Sequence, residues 1–363
     1  MPASLHEPFR FARGAKLARN RCVLAAMTNQ QSNADASLGE DELRWLLARA
    51  SFGVVTTCAA HVARDGQGWA GELGVFDDAL LPGLTRLASS LRAAGTLSLC
   101  QHFHGGMRAP SRLTGQAPFS ASAVEADITK GEAARAATEA DIERTIQAFA
   151  DAARRTEQAG FDGVELHGAH GYLLAQFLGK KTNRRSDGWG GSLEKRARFL
   201  REVYRAARAV TGADFLIGVR FSPELEDIGI DLDESLELVR MLESDGVDFL
   251  HVSNGDSFRP PRARPESERR LTAHVRAVLA DATPLIATGA VWTRDDAETV
   301  LRDGADFVGV ARAAIGNADW ARAVEDAAWQ AARPPYSVAH LSDQGLGEAF
   351  IAYMRRWPDF VVD

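Results

Sequence analysis

The chain has 363 residues, 45% hydrophobic and 25% charged, with a formal charge of −7. That is enough to bury a large core within one barrel-sized domain, residues 1–363, and it supplies no basic field for nucleic acid, so a small-molecule partner is expected. No stretch is apolar and long enough to span a bilayer, the first twenty residues lack the apolar run of a secretory signal, and Cys22, Cys58 and Cys100 stand far apart in apolar runs; no membrane partner, no metal and a reducing cytoplasm follow as expectations.

In chain order, residues 8–20 alternate around Gly14 and predict a hairpin plugging one end of the fold. Eight short β-rich runs then recur at 22–27, 53–60, 96–103, 163–169, 215–222, 249–254, 284–290 and 307–313. Helical periodicity fills 40–50, 81–94, 139–159, 193–210, 232–244 and 294–302, and Gly95, Gly160, Gly246 and Gly304 stand where left-handed C-terminal caps belong. The alternation predicts the α/β class, a (β/α)8 TIM barrel with an N-terminal β-hairpin cap. Two connections are long: 105–138, after the third strand, is expected to form a lid or local hairpin over the rim, and 255–270 is rich in arginine. A tail, 334–363, is expected to extend beyond the barrel.

Polar residues at the carboxyl ends of the strands should converge on one rim, where barrels carry their chemistry. The segment FDGVELHGAHGYLLAQFL (161–178), followed by TNRRSDGWGGSLEKRARFL (182–200), closely resembles the hallmark of the old yellow enzyme family of FMN-dependent ene-reductases. NRCVLAAMT, LCQHFHGG, GVRFSP, ATGAV and GVARAAI follow in the family's order, so the resemblance covers nearly the whole chain. It implies FMN as cofactor, NADPH or NADH as hydride donor, and an activated alkene as substrate, with reduction of the C=C bond of α,β-unsaturated carbonyl compounds.

By the same resemblance His167 and His170 donate hydrogen bonds to the carbonyl oxygen on which charge develops, and Tyr172 gives the proton. Ala26, Met27 and Thr28, with Ala59, Gln101 and Arg220, surround the flavin; Gln101 offers a donor and an acceptor to its pyrimidine edge, and Arg220 a cation to reduced flavin. Gly289, Ala311 and Arg312 form the phosphate corner, although Ala290 and Ala311 stand where glycine is usual in the family. The residues themselves leave alternatives open. His104 could join the histidine pair in a metal site, a flavoenzyme of this fold could oxidise or demethylate an N-methyl compound, and a flavin-free isomerase or lyase could use the phosphate corner. The arginine-rich loop could receive the 2′-phosphate of NADPH, and Arg355, Arg356 and Trp357 could reach a neighbouring protomer in a homo-oligomer.

Overall fold

The computed structural model describes residues 4–129 and 131–363, and within them eight parallel strands close into a barrel. The strands are β1 (Cys22–Leu24), β2 (Val54–His61), β3 (Leu97–Phe103), β4 (Gly163–Gly168), β5 (Leu216–Phe221), β6 (Phe249–Ser253), β7 (Leu285–Thr288) and β8 (Phe307–Val310). Each pairs with its neighbours in chain order, and β8 returns to β1 through Gly309 opposite Val23. Around them lie α1 (Glu40–Leu47), α2 (Leu81–Ala93), α3 (Glu139–Ala159), α4 (Leu193–Ala209), α5 (Leu232–Asp245), α6 (Leu271–Arg276) and α7 (Arg294–Arg302). The four helix-ending glycines all have φ between 75° and 99°, so the cap reading of the sequence describes the turns at the barrel's lower face.

β1, β7 and β8 are shorter than the runs that predicted them. The residues beyond their ends leave the ladder and border the central cavity or its neighbour, Ala26 and Met27 after β1, Ala290 after β7, and Ala311 and Arg312 after β8. Apolar side chains continued the β pattern in the sequence, but at the upper face they serve as cavity wall.

The lower end of the barrel is closed from inside. Phe9–Arg10 pairs antiparallel with Leu17–Ala18, and this hairpin inserts Phe11, 2% exposed, among Val23, Val54, Leu99, Leu216, Phe249, Ile286 and Phe307. Phe11 stacks on Phe307 with ring centroids 5.3 Å apart and meets Phe249 edge-on. An apolar layer therefore fills the bottom and confines polar groups to the upper half.

Lys130, within the 105–138 connection, lies outside the described residues. Phe119–Ser120 pairs in parallel with Arg135–Ala136, and Met107, Val124 and Ala134 pack against Ala175 and Ile228. Ser122 N–H also donates to the Thr182 carbonyl at 3.1 Å. The segment braces the loop between β4 and α4, and none of its described residues borders the central cavity. In the tail, Tyr336–Ser337 pairs with Val361–Val362, Phe350 packs edge-on against Trp45, and residues 353–360 fold back over the chain's own rim. Arg355 pairs with Asp363, Arg356 lies over the Tyr353 ring, and Trp357 lines the cavity. Among the described residues no helix is long and apolar enough to cross a membrane.

Phe11→Ala should lower the unfolding free energy by about 3–5 kcal/mol, the usual cost of emptying a packed phenylalanine site. Urea denaturation measures it, and a loss under about 1 kcal/mol would mean that the hairpin does not plug the barrel.

Candidate active site

The chain leaves β4 through two successive left-handed residues, His170 (φ 60°) and Gly171 (φ 75°), before Tyr172 opens a short helix, Leu173–Leu178. A left-handed histidine costs roughly 1–2 kcal/mol and persists only where its surroundings determine it. Here they do. His170 N–H donates to Ser222 Oγ at 3.2 Å, its carbonyl accepts from Arg108 Nη1 at 2.9 Å, and its ring nitrogen Nε2 meets Ser253 Oγ at 2.7 Å. Gln176 adds a staple, donating to the carbonyls of Gly105 and Gly171 and accepting from Met107 N–H, so the loops after β3 and β4 move as one body.

This turn brings His167 and His170 together with ring centroids 5.0 Å apart, nearly perpendicular, and both border a cavity of about 460 Å³. Their partners assign the tautomers. His167 Nδ1 accepts Ala169 N–H at 3.3 Å, which leaves Nε2 as the N–H donor. Ser253 Oγ accepts from Arg220 Nη2 at 3.1 Å and keeps its own O–H to donate to His170 Nε2, an arrangement that puts the imidazole proton on Nδ1. Burial holds both imidazoles well below the usual histidine pKa, and the neighbouring Arg220 charge reinforces it on each. The pair is two neutral donors. His104 is not part of it: its Nδ1 accepts Gly106 N–H and its ring packs on Phe119 beside Asp65, and among the described residues no group of three or more potential ligands is arranged for a metal.

Tyr172 stands against His167, ring centroids 5.0 Å apart, with Phe103 edge-on and the Arg108 guanidinium 5.4 Å from its ring. Burial pushes its hydroxyl up to about 12 despite Arg108, so it is a phenol at any working pH.

Arg220 is 3% exposed at the end of β5. Nη1 donates to the Ala26 carbonyl and Nη2 to Ser253 Oγ, both at 3.1 Å, while its buried Nε has no protein partner. A buried guanidinium donor without an acceptor is costly unless a ligand supplies one. Ala26 and Ala59 keep part of the wall flat and small, Gln101 presents its amide from β3, and Met27 and Thr28 complete the β1 side. The cavity continues into a second of about 330 Å³ that shares His170, Arg220, Ala311 and Arg312 and is lined by Asn254, Gly289 and Ala290. A Cβ on Gly289 would lie 2.8 Å from the Asn254 carbonyl oxygen, so only glycine fits there. Ala290 adopts φ 56° and so keeps the left-handed geometry that a glycine would give.

These residues fit FMN: a cationic donor and an amide of both senses for the pyrimidine end, small residues for the ring face, and a polar annex with Arg312 for the phosphate. The sequence-derived set, Ala26, Met27, Thr28, Ala59, Gln101, His167, His170, Tyr172, Arg220, Gly289, Ala311 and Arg312, is gathered on one connected surface. Trp69, Tyr353 and Phe360 also line the cavity, and Tyr353 interacts with Thr28. Their positions on the loop after β2 and in the tail gave no periodic signal. The arginine-rich loop turns its charge on acids: Arg259 pairs with Asp256, Arg264 with Asp233 and Arg270 with Asp303.

Residues 4–329 match the model of the NADH:flavin oxidoreductase / NADH oxidase family. A probable NADH-dependent flavin oxidoreductase of Bacillus subtilis is 37% identical over 89% of this chain and 88% of its own length. An NADH:acrylate oxidoreductase of Vibrio harveyi is 36% identical over 88% of this chain, which spans only 33% of that larger protein. Among solved structures, an old yellow enzyme homologue of Zymomonas mobilis superposes with a TM-score of 0.81 at 27% identity, covering 96% of this chain and 99% of that one. The polar rim on a closed barrel and these matches lead to one conclusion: the chain belongs to the NADH:flavin oxidoreductase / NADH oxidase family, alongside old yellow enzyme, and is an FMN-dependent oxidoreductase that uses NADH or NADPH.

Proposed function

We propose that the chain reduces the C=C bond of α,β-unsaturated carbonyl compounds. The observation that carries this reading is the pair of neutral imidazole donors, His167 Nε2–H and His170 Nδ1–H, fixed side by side at the cavity. Bound FMN supplies hydride chemistry between the nicotinamide and the alkene. The protein's share is to bind, orient and protonate. Two convergent donors hold a carbonyl oxygen and stabilise the charge that grows there as the β-carbon is reduced; each is worth roughly 2.7–4 kcal/mol when preorganised. Tyr172, next to His167 and un-ionised, holds a proton for the α-carbon, and a positioned donor spares the reaction a wait for solvent. Arg220 Nε and Gln101 hold the pyrimidine end of FMN, Ala26, Met27, Thr28 and Ala59 its ring, and Gly289, Ala311 and Arg312 its phosphate. Acrylate, on which the Vibrio relative acts, is itself an alkene conjugated to a carboxyl group, which supports alkene reduction as the reaction class.

The test is anaerobic reduction with NADH or NADPH, followed by reoxidation with cyclohexenone and product analysis. Saturated ketone is expected; a reduced enzyme that no enone reoxidises would refute the proposal. His167→Ala should slow reoxidation by about 10²–10³-fold, the usual effect of losing one oxyanion donor, while reduction by the nicotinamide changes far less. Equal losses in the two half-reactions would remove the assigned role. Tyr172→Phe should slow reoxidation selectively.

The pH dependence has a defined sign. A lowered imidazole pKa keeps the neutral donor form complete above the ordinary value near 6.5 and preserves it below that value, and a phenol raised to about 12 stays protonated throughout. Cyclohexenone binding should therefore be flat from about pH 6 to 9. A transition near 6.5 that disappears in His167→Ala or His170→Ala would show a charged imidazole and contradict the donor assignment.

A further inference from the structure

Immediately beneath the residues just described, the barrel holds a chain of four buried side chains, of which only Gln101 has a part in that scheme. Gln101 on β3, Glu165 on β4, His251 on β6 and Thr288 on β7 are each 5% exposed or less, and Glu165 and His251 have no exposed surface. Gln101 Nε2 donates to Glu165 Oε1 at 2.6 Å, His251 Nδ1 lies 2.5 Å from Glu165 Oε2, and Thr288 Oγ1 lies 2.7 Å from His251 Nε2. Gly309 leaves room for this arrangement, since a Cβ there would fall within 1.7 Å of Thr288 Oγ1. The apolar layer around Phe11 lies below and Arg220 above, opposite His251 in the β5–β6 register.

Donors and acceptors arrange themselves in one way. Thr288 O–H donates to His251 Nε2, His251 Nδ1–H donates to Glu165, and the carboxylate accepts from Gln101 as well. Hydrogen bonds from His251 and Gln101 and the Arg220 charge hold Glu165 below the usual carboxylate pKa against burial, and burial holds His251 below the usual histidine value. The layer thus contains one anion, Glu165, and above it one cation, Arg220. Such a buried charge is tolerable only when compensated. Because one N–H of Gln101 is committed to Glu165, its amide cannot flip, and its carbonyl oxygen is left to face the cavity as an acceptor.

We propose that the Glu165–His251 pair is a positioning device for the cofactor, fixing which way the Gln101 amide faces the FMN ring and offsetting the Arg220 charge, so that it sets how strongly the site favours reduced over oxidised FMN. The inference rests on the reading that Gln101 and Arg220 meet the pyrimidine end of FMN. Two-electron reduction places negative charge on that end of the ring. Arg220 stabilises this charge, and the anion beneath Arg220 moderates the stabilisation.

The experiment is spectroelectrochemical titration of the FMN-loaded protein, with FMN affinity measured by flavin fluorescence. Glu165→Gln leaves Arg220 uncompensated and should favour reduced FMN by tenfold or more, an upward move of about 30 mV for a two-electron couple. The exchanged variant Q101E/E165Q keeps one carboxylate and one amide in the same layer but turns the carboxylate toward the ring, and should lower both the potential and the affinity for FMN. It also provides the test if Glu165→Gln fails to fold. A merely structural role would change thermal stability in either variant and leave the potential where it was; that result, or a fall in potential in Glu165→Gln, overturns the proposal. Arg220→Lys separates the two levels. If it changes neither potential nor FMN affinity, the placement of the pyrimidine end is wrong; if it changes them and Glu165→Gln does not, the placement stands and the Glu165 proposal fails.

Discussion

A guanidinium buried inside a closed barrel imposes conditions on everything around it. Arg220 keeps its charge at 3% exposure because the Ala26 carbonyl and Ser253 Oγ accept two of its hydrogen bonds and Glu165 lies beneath it as counter-charge. Each partner is tied in turn to another element: Glu165 to Gln101 and His251, Ser253 to His170. The polar network is affordable because the hydrophobic layer built on Phe11 closes the lower end, excludes water from below and leaves the upper half to a ligand.

From that anchor the reactive groups inherit their form. Ser253 accepts a hydrogen bond from Arg220 and gives its own proton to His170 Nε2, which leaves Nδ1 as the donor nitrogen. The same positive charge, added to burial, keeps His167 and His170 neutral. Two neutral N–H groups beside an un-ionised phenol suit a reaction in which negative charge appears on an oxygen and a proton is then required at carbon. The strained turn at His170 and Gly171 is the cost of putting three such groups on a few consecutive residues, and the bonds from Arg108, Ser222 and Ser253 meet it.

The mouth of the cavity is built differently from its floor. Trp69 comes from the loop after β2, and Tyr353, Trp357 and Phe360 come from the tail. Loops and tails can change without disturbing the packed barrel, so the floor can serve one cofactor while the mouth varies with substrate. The 105–138 segment braces the loop that carries the histidine turn, and its Arg108 bonds the His170 carbonyl directly.

Much of this was legible in the chain itself. Alternating strand and helix periods determine the barrel, Gly160 and Gly246 mark its lower turns, and the HGAHGY segment locates the donors, because each is a local pattern written in consecutive residues. Other features were not legible. Strand ends were overestimated, since Met27, Ala290 and Ala311 are as apolar as strand residues yet form cavity wall; the partners of the 105–138 segment were not legible, because length alone does not say where a loop docks. The sequence by itself determined the element order, the family and the identity of the polar groups at the rim. Only the tertiary structure decided that Glu165 pairs with His251, that His170 carries its proton on Nδ1, and that the tail returns to its own cavity. Those outcomes depend on contacts between residues far apart in the chain, whose partners are chosen by barrel closure and by the need of every buried polar atom for a partner.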